Sequence, residues 1–232
     1  GRELFSRHRR ECAIADAVLG YPIAELCADT AQLADTAYAQ PAIFFVSCLS
    51  YLERQRDPAF MPTLLLGHSL GLYAALYAAG CFDLDTGLAI VAERGRLMSR
   101  VSGGAMLAML GDDARDPHTV LLELDAHDID VANHNSPTQV VLSGRAERID
   151  TIAPALTARG NRCVRLSVSG AFHSRYMEPA RQAFVGFLAG QTLRSLSIPV
   201  FSSTSGERIR SDYMIEELGF QLTKPVRWMQ TV

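Results

Sequence analysis

The sequence predicts an α/β fold, a larger α/β body into which a small subdomain of β-α-β-β-α-β order is inserted. Two observations carry this. A short apolar run at 63–66 meets Gly67-His68-Ser69-Leu70-Gly71 and then an alanine-rich helical pattern closed by Gly80, the strand–turn–helix in which one serine hydroxyl is pushed into the open. From about residue 103 to 169 the rhythm changes to four short strands and two helices in ferredoxin-like order.

The elements follow in order. Leu4, His8, Cys12, Ala15 and Leu19 share one helical face, which Gly20 ends. Pro22 starts a short helix through Leu26, and Pro41 suits the first turn of a longer one carrying Phe44, Cys48 and Leu52 toward Arg56. After the strand at 63–66, side chains at Gly67 or Gly71 are expected to collide with the neighbouring strand or helix. Ser69 then stands at a helix N-terminus, where free N–H groups favour a developing oxyanion. Asp85 is the expected N-cap of a helix carrying Leu88, Val91, Arg94 and Met98. In the insert, 105–110, 128–133, 139–143 and 163–168 read as strands, and 120–125 and 146–159 as helices. Residues 198–201 form a further strand of the large part. The large subdomain thus takes 1–102 and 170–232, the small one 103–169. With only two clear strands in the large part, more are expected beyond both ends of the sequence.

Composition bounds the function. The 232 residues carry a net charge of −3 with both signs interspersed, so no basic stripe argues for nucleic acid. No apolar run reaches membrane-spanning length, and Gly1-Arg2-Glu3 opens no signal peptide. Cys12, Cys27, Cys48, Cys81 and Cys163 are odd in number and lack metal-site spacing. They read as reduced thiols of a cytoplasmic protein without a metal, Cys48 and Cys81 as packing residues.

A serine at such a turn needs a base, and six histidines compete. His68 adjoins Ser69, and side chains of adjacent residues diverge at a tight turn, so it reads as a packing or loop-bracing residue. His8 lies on a helix among arginines. His118 and His127 read as surface residues, and His134 falls in a loop, 133–137, that could line a cleft. His173, in Ser169-Gly170-Ala171-Phe172-His173-Ser174, stands where the chain leaves the insert, and clefts between subdomains are where sites form. For the third member, Asp83, Asp85, Asp125, Asp128 and Asp130 lie in the right chain order. A Ser-His dyad with the imidazole held by a carbonyl fits as well.

Three further segments join Gly67–Gly71 and Ala171–Ser174: Val91-Ala-Glu-Arg94-Gly-Arg-Leu-Met98, Asn133-x-Asn-Ser-Pro137-x-Gln139-Val-Val-x-Ser-Gly144, and Gln221-Leu-x-x-Pro225-Val-Arg-Trp228. In this order and spacing the chain resembles the malonyl-CoA:acyl-carrier-protein transacylase family, which includes the free-standing trans-acting acyltransferases of polyketide synthases. The resemblance implies an α/β-hydrolase-like large subdomain with an inserted ferredoxin-like small one. It implies Ser69 as nucleophile and His173 as general base and acid. Malonyl would move from CoA to the phosphopantetheine thiol of an acyl carrier protein by ping-pong chemistry, with no cofactor of the enzyme's own. Gln221 matches the residue whose backbone carbonyl orients the histidine, and the backbone N–H of Leu70 matches an oxyanion donor. Arg94 matches the arginine that grips the malonyl carboxylate. Gln40, Phe172 and Met98 complete the implied substrate-binding set, the bulk of Phe172 going with malonyl over a branched extender.

Two departures qualify this. The family's Gly-Gln-Gly-Ser-Gln segment and its C-terminal strand fall outside the sequence, and Leu72 stands where glutamate is usual. An apolar residue there could alter the cleft floor or a carrier-protein contact, or be neutral. Two other functions compete: an acyl-carrier hydrolase or transferase of larger acyl groups, and a non-catalytic carrier-docking module.

Overall fold

The computed structural model of the chain describes residues 2–232. Two helices open it, α1 (Arg2–Arg7) and α2 (Arg9–Leu19), where the spacing predicts one. The break falls at His8, whose backbone leaves the helical region at φ −118° and ψ 48°. Its buried imidazole bonds the Glu53 carboxylate at 2.7 Å, a partner that offsets the lost helical continuity. After Gly20, α3 (Ile23–Leu26) follows Pro22 as predicted. The next helix, α4 (Thr36–Arg54), starts well before Pro41. Asp35 caps it by accepting from the Ala37 N–H at 2.9 Å, and that cap outweighs the proline's preference for a first turn.

The large part continues through β1 (Leu65–Leu66), α5 (Gly71–Ala78) and α6 (Leu84–Ser99). The N-cap of α6 is Asp83, not Asp85. The Asp83 carbonyl already accepts the first helical bond, from Gly87 N–H at 2.9 Å, so Asp85 lies inside the first turn, where its charge suits the helix dipole.

The middle of the chain comprises β2 (Gly104–Leu110), α7 (Pro117–Glu123), β3 (Asp130–Ser136), β4 (Gln139–Arg145), α8 (Ala146–Ala158) and β5 (Arg162–Arg165). The strands form one antiparallel sheet in the order β3-β4-β2-β5. The segment 133–137, expected as a loop, is mostly strand. Its outer edge finds partners: His134 N–H donates to the Val226 carbonyl and Val226 N–H to the Ala132 carbonyl, both at 2.8 Å. Those bonds hold the strand extended through two bulges, Val131/Asn133 and His134/Ser136.

The chain then returns through α9 (Glu178–Leu188), β6 (Val200–Phe201), α10 (Met214–Phe220) and α11 (Trp228–Thr231). β6 pairs with β1 in parallel, Leu65 opposite Val200.

Two cores result. One gathers Phe44, Phe45, Tyr73, Leu88 and Phe184 from the helices around β6; the other gathers Leu107, Met109, Leu142, Ile149 and Leu156 under α8. Alternation along β2 serves both, with Ala105, Leu107 and Met109 in the second core and Met106 and Ala108 in the first. The inner strands β2 and β4 are thus buried on both faces, while the edge strand β5 stays largely exposed. Among the described residues no helix is long and apolar enough to cross a membrane.

Candidate active site

The strand–turn–helix at Ser69 is built by close backbone approach. A Cβ added at Gly67 would stand 2.1 Å from the Gly71 carbonyl carbon and 2.3 Å from the Leu72 nitrogen, so only glycine fits. At Gly71 itself an added Cβ meets nothing within 4 Å; the expected collision is absent, and Gly71 is the backbone that Gly67 approaches. The turn is closed by Gly71 N–H to the His68 carbonyl at 2.9 Å and Leu72 N–H to the Ser69 carbonyl at 3.0 Å. This geometry forces Ser69 to φ 50°, a left-handed conformation that costs a non-glycine residue roughly 1–3 kcal/mol. The Leu70 N–H has no acceptor among the described residues, as an oxyanion donor requires.

His173 is the second non-glycine site residue in the left-handed region, with φ 57°. Its Nε2 lies 2.7 Å from Ser69 Oγ, and its Nδ1 2.7 Å from the backbone carbonyl of Gln221. A carbonyl oxygen only accepts, so the ring proton sits on Nδ1 and Nε2 is free to accept the Ser69 O–H. The five aspartates considered for the third position are engaged elsewhere or stand at the surface; Asp128 pairs with Arg148, and Asp130 with Arg175. Burial lowers the His173 pKa to about 3, helped by the nearby Arg94 charge. The imidazole is therefore neutral at ordinary pH, as a base must be.

Arg94 lies on the buried face of α6 and is 1% exposed. Its Nη1 donates to Gln40 Oε1 at 2.5 Å and its Nη2 to Gln221 Oε1 at 3.2 Å. The guanidinium also lies 5.3 Å from the Tyr73 ring centroid. Among the described residues no carboxylate bonds it, and its Nε has no partner. Gln40 is fixed in turn by donating from Nε2 to Thr36 Oγ1 at 2.8 Å and toward Met98 Sδ at 3.5 Å. Gly95 permits this, since a Cβ there would come within 2.8 Å of the Thr36 carbonyl oxygen and push α4 from α6. Gln221 Nε2 donates to the Ser69 carbonyl at 2.9 Å.

The structure thus brings Ser69, Leu70, His173, Arg94, Gln40, Gln221 and Met98 into one network. Phe172 packs into the larger core beside His173. Leu72 is fully buried in that same core, so it cannot touch a carrier protein. His68 bonds Asn135 Oδ1 at 2.9 Å and meets the Trp228 ring edge-on at 5.4 Å, which makes it a brace between the turn and β3. His118 and His127 are exposed, and His134 is half-buried on β3. Two participants have no sequence signal of their own, Tyr73 and Thr36; Asn135 lies within the 133–144 motif and serves as the partner of His68.

A cavity of about 480 Å³ is lined by His173, Asp130, Arg175, Thr223 and Lys224, with Ser69 and Arg94 outside its lining. A larger apolar hollow of about 850 Å³, between Phe5, Cys27, Leu33 and Val46, holds none of this chemistry. No cluster of side chains suited to a metal is present among the described residues. A serine hydroxyl on a neutral imidazole, beside a buried guanidinium lacking an acid, can attack an acyl group and hold that group's own carboxylate.

The chain is similar to known proteins over nearly all of its length. The acyl transferase domain family matches residues 7–232. The polyketide biosynthesis malonyl CoA-acyl carrier protein transacylase PksC of Bacillus subtilis is 38% identical over 236 residues, covering 100% of this chain and 82% of that protein. The polyketide biosynthesis protein PksE of the same organism is 39% identical over 238 residues, and this chain spans 31% of its length. The crystal structure of a malonyl CoA-acyl carrier protein transacylase from Burkholderia pseudomallei superposes with a TM-score of 0.94 at 40% identity, covering 98% of this chain and 79% of that one. With residues 7–232 matched, the chain belongs to the acyl transferase domain family.

Proposed function

We propose that the chain moves a malonyl group from malonyl-CoA to the phosphopantetheine thiol of an acyl carrier protein, in polyketide or fatty-acid biosynthesis. The single observation that carries the acyl choice is Arg94, buried without an acid beside the Ser69–His173 pair. A guanidinium in that position recognises a carboxylate at two points.

Ser69 Oγ attacks the thioester carbonyl carbon while its proton passes to His173 Nε2. The negative charge on the carbonyl oxygen is met by the Leu70 N–H. Collapse breaks the C–S bond, and the CoA sulfur leaves with the proton from Nε2. The carrier-protein thiol then gives its proton to the same nitrogen and attacks the malonyl-serine, and Ser69 recovers its proton as the ester bond breaks. Ser69 and His173 supply the chemistry, so no cofactor is needed. Residues 1–102 and 170–232 serve as an α/β-hydrolase-like subdomain and 103–169 as a ferredoxin-like one, with the substrates entering between them. The free cysteines suit a cytoplasmic location.

Exposure to malonyl-CoA followed by intact-mass measurement and peptide mapping should find one malonyl ester, on Ser69. An enzyme that acylates equally with acetyl-CoA, or not at all, would refute the reading. The larger-acyl alternative rested on Leu72, which is fully buried in the core, and an apolar chain would leave the buried Arg94 guanidinium unpaired. The docking-module alternative leaves the 2.7 Å serine–imidazole contact without a use.

A further inference from the structure

A buried arginine ordinarily has an acid beside it, since an unpaired buried charge is expensive. Arg94 departs from this. Its two hydrogen bonds go to amide oxygens, of Gln40 and Gln221, and the ring of Tyr73 lies against it. Both the Arg94 Nε and the Tyr73 hydroxyl are buried without a hydrogen-bond partner among the described residues. Glu217, an acid whose charge reaches Tyr73, is held away by the hydroxyls of Ser202 and Thr204. Each glutamine is itself pinned at its other end, Gln40 by Thr36 and Gln221 by the Ser69 carbonyl. The guanidinium is therefore fixed in place while its charge stays uncompensated.

We propose that Gln40 and Gln221 set the acyl specificity of this enzyme by holding Arg94 in position without neutralising it. They are specificity-determining positioning residues. Neutral amide oxygens orient the fork, and the missing counter-charge must come from the carboxylate of the incoming acyl group. A glutamate at either place would satisfy Arg94 internally and remove the demand for a carboxylated substrate. The arrangement also reaches the base: the Arg94 charge disfavours protonated His173, so a carboxylate seated on Arg94 makes the imidazole a better proton acceptor. Arg94 and His68 both disfavour charge on His173, and Asp130, Arg175, Glu178, Arg181 and Lys224 line the cavity beside it.

This inference rests on the malonyltransferase reading, and the test separates the two. In the wild-type enzyme, a preference for malonyl-CoA over acetyl-CoA in Ser69 acylation establishes the reading by itself. Gln40→Glu and Gln40→Met are then compared. Gln40→Glu should lower the malonyl-to-acetyl ratio of kcat/KM by about 100-fold, the scale of a charge-assisted hydrogen bond ceded to an internal competitor. Gln40→Met removes the hydrogen bond but leaves Arg94 charged, so it should lower rates while the enzyme still favours malonyl. A second readout is the acid limb of Ser69 labelling by a fluorophosphonate, which should move to higher pH in Gln40→Glu and stay in place in Gln40→Met. Gln221→Glu places the same charge on the other side of Arg94 and repeats the test if Gln40→Glu does not fold. An unchanged acyl ratio with an unmoved acid limb in a folded glutamate variant, in an enzyme whose wild type prefers malonyl, would overturn the inference. Equal loss of the ratio in Gln40→Glu and Gln40→Met would do so too.

Discussion

Gln221 holds Ser69 by its side chain, donating from Nε2 to the Ser69 carbonyl at 2.9 Å, while its own backbone carbonyl holds the histidine that Ser69 bonds. One residue thus fixes the backbone of Ser69 and the tautomer of His173. Gln221→Ala keeps the carbonyl but frees the turn. Acylation should slow by about tenfold, the worth of one hydrogen bond to a strained site, with kcat falling more than KM rises in steady-state assays.

Arg94→Ala removes the guanidinium that bonds Gln40 and Gln221. Transfer from malonyl-CoA should fall by about 100-fold or more, the value of roughly 3 kcal/mol of charge-assisted bonding. Acetyl transfer should fall less. Parallel kcat/KM measurements with the two thioesters read both.

Acid should loosen the protein through His173. Its pKa is about 3 in the folded chain against the ordinary 6.5, so below pH 6.5 the unfolded state binds the proton more readily. This contribution to stability is intact above about pH 6.5 and declines as pH falls toward 3. Urea unfolding midpoints measured across that window should drop less steeply in His173→Gln. Ser69 labelling, by contrast, should persist well below pH 6.5 in the wild type.

The two turn glycines should separate cleanly. Gly67→Ala drives a Cβ into the Gly71 backbone and should cost about 3 kcal/mol or more, the upper range of overpacking, with loss of acylation. Gly71→Ala meets open space and should melt near the wild-type temperature.

Leu72→Ala tests a residue the sequence leaves ambiguous. Its side chain is fully buried, so the change should cost roughly 2–5 kcal/mol of stability. The malonyl-to-acetyl ratio of the folded fraction should stay the same.

Much of this was legible in the residues, for local reasons. Gly67, Ser69 and the apolar residues before them announce the turn, because its sterics leave few other choices. The strands of the insert read from short runs of strand-forming residues, and β2 is apolar throughout because its side chains alternate between two cores. What stayed hidden is long-range. Whether an aspartate or a carbonyl orients His173 depends on Gln221, 48 positions away, and carbonyls leave no trace in a sequence. The His8 break, the Asp35 start of α4 and the extension of β3 each depend on a partner or cap that competes with local propensity. Arg94 gives one sign of its own in the sequence. It falls in the repeat of Leu88, Val91 and Met98, where an arginine must be buried.

The pairing of β3 with Val226 has a mechanical consequence. The Ala132, His134 and Val226 backbone groups stitch the four-stranded sheet to the segment that also carries Gln221. The two walls of the cleft therefore share a seam along one side, like a purse. Any widening of the mouth must leave that seam in place or break its bonds, and Arg175, tied to Asp130 on the same strand, reinforces it. In hydrogen exchange the His134 and Val226 amides should then remain protected.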